Sequence, residues 1–283
     1  METRIDGPLD GDPSRGLGRR EFLAGLSGLA GGAAGAYALL PLLGAKAEVI
    51  AKDDPRLITE QIRYPGQAGE ILAYLARPKA DEKRPCVIVI HENRGLNDHI
   101  RDVARRVAAE GFLALAPDAL SPMGGTPEDQ DKARGMIGQL DGPATVKNFV
   151  AAVQYLKTHP LSTGKVGCTG FCWGGAMTNQ VAVNSPDLVA AVPYYGMAPA
   201  VEDVPKIKAS ILAHYAGQDE RINKGIPAFE EALKKASVPY QIYVYEGARH
   251  AFNNDTNPGS YNKEAADLAW KRTIAFFKER LKT

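Results

Sequence analysis

Lys165-Val166-Gly167-Cys168-Thr169-Gly170-Phe171-Cys172-Trp173-Gly174-Gly175 decides the fold. Lys165–Thr169 reads as a short strand and Trp173–Asn184 as a helix, joined by a bend at Gly170-Phe171-Cys172. Glycines on either side of Cys172 remove the Cβ atoms that would clash in so tight a turn. Such a bend lifts the sulfur above a sheet and aims it at a helix N-terminus, whose dipole favours a thiolate. The backbone N–H of Trp173 is then placed to donate to a developing oxyanion. Read alone, the motif also fits a buried structural cysteine at a helix start.

Outward from this bend, apolar runs alternate with amphipathic stretches. Ile58–Tyr64 and Ile71–Arg77 flank Gly66 and Gly69 and read as an antiparallel pair. Cys86–His91 is an almost continuous β-branched run, as expected for a central strand buried on both faces. Asn97–Glu110 carries a helical stripe, Phe112–Ala116 is a strand, and Val146–Thr158 is a helix. The intervening Ser121–Gly142 is expected to form a short lid-like surface helix. Strands at Leu188–Tyr194, Ser210–Tyr215 and Tyr240–Tyr245 then alternate with helices at Pro227–Ala236 and Ala265–Leu281. The alternation predicts one α/β domain over 48–283, with a mostly parallel sheet covered on both faces.

Three more chemical groups fall just beyond strand ends, the edge where open α/β sheets place their sites. Asp219 closes Ala216-Gly217-Gln218-Asp219, and His250 closes Glu246-Gly247-Ala248-Arg249-His250. Nucleophile, acid and histidine occur in the chain order this architecture uses. His250 would move the thiol proton to the leaving alcohol, and Asp219 would orient the imidazole. His91-Glu92-Asn93 ends the central strand, so the backbone N–H of Asn93 is the candidate second oxyanion donor. Glu92 puts a carboxylate beside the sulfur, which would hold the thiol protonated. Arg94 and Arg101 are its candidate ion-pair partners, and Trp173 is placed to line the pocket.

With these residues in hand, the chain resembles the dienelactone hydrolase family (carboxymethylenebutenolidases). The resemblance rests on His91-Glu92, Gly170-Phe171-Cys172-Trp173-Gly174-Gly175, Tyr194-Tyr195-Gly196, Gly217-Gln218-Asp219 and His250-Ala251-Phe252. It implies an α/β-hydrolase fold with about eight strands and a Cys–His–Asp triad working without metal or cofactor. It also implies a switch in which Glu92 accepts the proton of Cys172 when substrate arrives, and a small ester or lactone as substrate. Tyr195 falls among the implied pocket residues. Asn254 stands where family members acting on dienelactone carry a carboxylate-binding arginine, and Arg134 is the only arginine in the region of the second. A site with one cationic anchor gone would hold a carboxylate substrate more weakly. A broad carboxylesterase or thioesterase, or a catalytically silent binding homologue, are the alternative readings.

The remaining signals set boundaries. A net charge of +1 over 283 residues, without a basic run, gives no field for nucleic acid. The five histidines show neither H-x-x-x-H nor H-E-x-x-H spacing, so zinc chemistry has little support. Cys86 and Cys168 are expected on neighbouring parallel strands, two residues out of register and therefore unbridged. Arg19-Arg20 precedes an uncharged Gly- and Ala-rich run, Phe22–Leu43, followed by Ala45-Lys46-Ala47. That order predicts a twin-arginine export signal over residues 1–47, engaged by the translocase and cleaved so that the mature chain starts near Glu48 in the periplasm. An uncleaved membrane anchor facing the periplasm is the alternative. The sequence leaves the oligomeric state open.

Overall fold

The computed structural model describes residues 48–67 and 69–282, so the expected export signal over residues 1–47 lies outside the described residues. The strands are β1 (Leu57–Gly66), β2 (Gly69–Pro78), β3 (Arg84–Ile90), β4 (Leu113–Pro117), β5 (Ser162–Phe171), β6 (Leu188–Tyr194), β7 (Ser210–Ala216) and β8 (Tyr240–Tyr245). They form one 8-stranded sheet in the order β1-β2-β4-β3-β5-β6-β7-β8. β1–β2 and β2–β4 pair antiparallel, and every later neighbour pair is parallel.

Side-chain alternation along β3 explains why its sequence is apolar throughout. Cys86, Ile88 and Ile90 enter the core on one face of the sheet, while Val87 and Val89 enter the core on the other. The first face is covered by α3 (Gly142–Thr158), α4 (Trp173–Asn184) and α6 (Ile226–Lys235), and the second by α1 (Asp98–Ala109) and α7 (Lys263–Arg280). Cys86 pairs in register with Val166 and Ile88 with Cys168, so the two thiols are offset as expected and remain free.

Three elements differ from the sequence reading. The segment 121–142 contains a 3-10 turn, Ser121–Met123, and a helix, α2 (Gln130–Ile137), started by the Asp129 side chain. Ala133 and Ile137 of α2 are buried in the main core, so its inner face is packed rather than free as a lid. Helix α3 begins at Gly142 instead of Val146, because Asp141 caps Ala144 N and a proline sits in the first turn. A four-residue helix, α5 (Glu220–Asn223), follows β7 and is set by the cap that Asp219 supplies.

The start of the described chain is tied to α1. Val49 N and Ile50 N donate to the two carboxylate oxygens of Asp102 at 3.1 and 2.9 Å. Arg105, a fully buried side chain, donates through Nε to Ile50 O at 2.7 Å and through Nη1 to Tyr74 Oη at 3.1 Å. Among the described residues no helix is long and apolar enough to cross a membrane.

Candidate active site

Cys172 occupies the bend between β5 and α4 with φ 57° and ψ −113°. Only four non-glycine residues among those described have positive φ, and three of them are Cys172, Tyr195 and Ala251. Strain of this kind persists where the surroundings over-determine the backbone, and here it clusters at one rim of the sheet. Cys172 N donates to Tyr194 O at 3.1 Å, and Cys172 O accepts from Ala176 N at 3.1 Å, which pins the bend from both sides. Close packing requires the glycines. A Cβ on Gly174 would stand 2.3 Å from the carbonyl oxygen of His91.

His250 Nδ1 is hydrogen-bonded to Oδ2 of Asp219, while Oδ1 of Asp219 accepts from Ile222 N at 3.4 Å. The cap and the imidazole therefore share one buried carboxylate, which orients the ring. The Tyr195 ring packs 5.0 Å from the His250 ring, centroid to centroid. Among the described residues no hydrogen bond joins Cys172 to His250.

The charge that dominates at the sulfur is that of Glu92. Burial pushes the Cys172 thiol up to about 11, and the Glu92 carboxylate pushes in the same direction. The Trp173 backbone N–H and the Arg221 guanidinium oppose this, and Asp219 adds a smaller rise. Glu92 is itself raised by burial, with His99, Asn254, His250 and Arg94 drawing it back toward ionisation. Burial and the nearby Glu92 and Cys172 charges keep the Tyr195 phenol protonated. Residues 92, 172, 195, 219 and 250, from five separate stretches, thus converge on one edge.

Glu92 does not take the arginine partners expected of it. Arg94 donates to Gln130 at 3.2 Å and lies 3.4 Å from Asp131, while Arg101 donates to Asp98 at 3.2 Å. The partner is Asn254, whose Nδ2 donates to Glu92 Oε2 at 2.6 Å. Thr256 fixes the amide orientation by donating to Asn254 Oδ1 from its backbone N at 3.0 Å and its hydroxyl at 2.7 Å. Asn254 is therefore a clasp on Glu92 before it is a substrate contact.

The other expected residues fall as follows. Asn93 is half-buried and opens the turn after Glu92. Trp173 is half-buried, stacks on His91 at 5.3 Å and 12° and meets Phe149 edge-on at 6.2 Å. His91 Nε2 accepts from Ala119 N at 3.1 Å and its Nδ1 contacts Glu92 O at 2.6 Å, which makes it a buried strut. Arg134 is exposed on α2, with no hydrogen bond or ion pair to the triad among the described residues. Sequence reasoning missed Arg221, His99 and Asp255. Arg221 stands two positions after Asp219, and its charge reaches Cys172. Among the described residues no group of three or more His, Cys, Asp or Glu side chains could hold a metal ion.

The sheet order and the strand–bend–helix at Cys172 are those of an α/β-hydrolase. The chain belongs to the dienelactone hydrolase family, whose model matches residues 71–281. An Escherichia coli K12 protein named "putative carboxymethylenebutenolidase" is 33% identical over 247 residues, covering 82% of this chain and 90% of the relative. A solved Klebsiella pneumoniae "putative dienelactone hydrolase" is 32% identical, with a TM-score of 0.71 over 78% of this chain and 98% of that one. A dienelactone hydrolase-like promiscuous phosphotriesterase from metagenomic libraries has the same TM-score of 0.71 at 26% identity, over 80% of this chain and 100% of that one. The chain is accordingly a hydrolase of the dienelactone hydrolase type.

Proposed function

We propose that this chain hydrolyses small esters or lactones through a thioester on Cys172. The observation that carries the reading is the strained bend presenting the Cys172 sulfur beside Glu92, with the His250–Asp219 pair at the same edge. In this reading the resting thiol keeps its proton, and Glu92, its carboxyl raised by burial, is poised to take it. As substrate enters, that proton passes to Glu92, and the thiolate bonds to the acyl carbon while the ester C–O bond breaks. His250, oriented by Asp219, gives a proton to the leaving alkoxide. In the second half a water gives its proton back to His250, hydroxide displaces the sulfur, and the thiolate recovers its proton from Glu92. The backbone N–H groups of Trp173 and Asn93 are the oxyanion donors in this reading.

Short-time mixing with p-nitrophenyl acetate followed by acid quench and peptide mass analysis tests it. An acetyl group on the peptide containing Cys172 is the expected result; ester turnover with the acetyl group only on other residues removes the reading.

We further propose that residues 1–47 are a twin-arginine export signal and that the enzyme works in the periplasm. The reading rests on Arg19-Arg20 and Ala45-Lys46-Ala47, and it suits a thiol kept protonated in an oxidising compartment. The intact periplasmic protein is expected to have the mass of a chain starting near Glu48; a full-length mass in the membrane fraction supports an anchor instead.

A further inference from the structure

Buried phenols in this protein find partners. Tyr194 Oη shares a hydrogen bond with Thr273 Oγ1 at 2.6 Å, Tyr64 Oη donates to Asn148 O at 3.1 Å, and Tyr245 Oη meets His214 Nδ1 at 3.0 Å. Tyr195 breaks this pattern at the reactive edge. Its side chain is 1% exposed, and its hydroxyl has no hydrogen-bond partner among the described residues. The Asn253 backbone N–H draws on the phenol oxygen without closing a hydrogen bond, and the hydroxyl hydrogen has no acceptor. The backbone is strained as well, with φ 36°, and is held there by Tyr195 N donating to His214 O at 2.7 Å. A buried hydroxyl without a partner costs stability, so its place beside the triad calls for a use. Tyr215 is the other tyrosine of this kind among the described residues, and no ring contact joins it to His250.

Two sets of contacts fix where this side chain stands. Phe171 of β5 pairs in register with Tyr194 of β6, and Cys172 N donates to Tyr194 O, so Cys172 and Tyr195 are neighbours just past the ends of adjacent strands. The Tyr195 ring also packs 5.0 Å from the His250 ring and 5.3 Å from that of Phe252. Tyr195 thus adjoins both the nucleophile and the histidine of the triad. We infer that Tyr195 is a catalytic residue whose hydroxyl donates a hydrogen bond to the Cys172 sulfur once that sulfur becomes a thiolate. The inference rests on the reading of Cys172 as the nucleophile. A thiol is a weak acceptor and takes no bond from Tyr195 at rest, whereas an anionic sulfur is a strong one. Passing the thiol proton to Glu92 therefore creates the acceptor that the phenol lacks. The phenol keeps its own proton throughout, held by burial and by the Glu92 and Cys172 charges. Its hydrogen bond offsets part of the cost of a thiolate beside Glu92. The charged groups facing the sulfur are Glu92 after β3 and Asp219 and Arg221 after β7, with the His250 ring on the far side of Tyr195.

The test is alkylation of Cys172 by iodoacetamide, read by peptide mass analysis between about pH 7 and 9, where the small thiolate fraction sets the rate. Tyr195→Phe keeps the ring and removes only an oxygen that has no partner at rest, so it is expected to fold and to melt at or above the wild-type Tm. Labelling of Cys172 is expected to slow about threefold or more. Losing a hydrogen bond to an ion lowers the thiolate fraction about tenfold, and the more basic thiolate regains about half of that on a logarithmic scale. Tyr215→Phe removes the other unpartnered phenol oxygen and is the control, expected to label at the wild-type rate. An unchanged rate in Tyr195→Phe overturns the assignment. So does a faster rate, because a hydroxyl that served Glu92 or the packing around the sulfur would, when lost, release the thiolate. Labelling needs no ester turnover. An acetyl group found on a residue other than Cys172 would remove the hydrolytic reading, while the labelling rate still decides the bond from Tyr195.

Discussion

Cys172→Ala is expected to lower kcat/KM for p-nitrophenyl acetate by at least about a thousandfold, to the background of the oxyanion donors and binding alone. The size follows from what is removed. In the proposed mechanism the Cys172 sulfur forms the covalent bond, and neither Cys86 nor Cys168 can replace it. Both are fully buried in the sheet, with thiols pushed up by burial to about 11 and about 12. Fold stability should change little, because Cys172 is only partly buried and an alanine fits the same bend. Equal turnover by the wild type and the alanine variant would instead describe a binding homologue with no chemistry of its own. The measurement is initial rates of both proteins against ester concentration, with thermal melting as the folding control.

Gly170→Ala is expected to be strongly destabilising. A Cβ there would lie 2.3 Å from Gly174 O, 2.6 Å from Gly174 C and 2.7 Å from the Thr178 hydroxyl. Two of these are backbone atoms of the first turn of α4, which cannot swing aside as a side chain would. Relief requires β5 and α4 to separate, at a cost of about 3 kcal/mol. For a domain of this size that corresponds to a fall in Tm of roughly 6–12 °C. Gly135→Ala, on α2, is the matched control: a Cβ there meets nothing within 4 Å, and the substitution should be neutral or mildly stabilising. A Gly170→Ala protein melting with wild type would show that the bend is looser than its contacts imply.

Much of the fold was legible in the sequence because the signals were local. The strand–bend–helix around Cys172 and the β-branched run of β3 each follow from a few adjacent residues. So does the placement of Asp219 and His250 just beyond strand ends. What escaped was set by tertiary contact. Arg94 and Arg101 looked like partners for Glu92 because they are close in sequence, yet the side chain that reaches it is Asn254, 162 positions away. His99 lies on the inner side of an amphipathic helix, where a histidine reads as ordinary packing. Its pairing with Asp255 arises only when α1 meets the loop after β8. Trp173 was placed correctly at the helix start, but which neighbour its ring would stack on depends on His91, from another strand.

The anchorage of Val49 and Ile50 to Asp102 gives the amino end of the enzyme body a fixed stop. An exopeptidase nibbling inward meets backbone amides already bound to a buried carboxylate within two residues of Glu48. To go further it must strip Asp102 of both amide donors and Arg105 of the Ile50 carbonyl. Proteolytic trimming toward residue 48 should therefore leave a clean end instead of a ragged one.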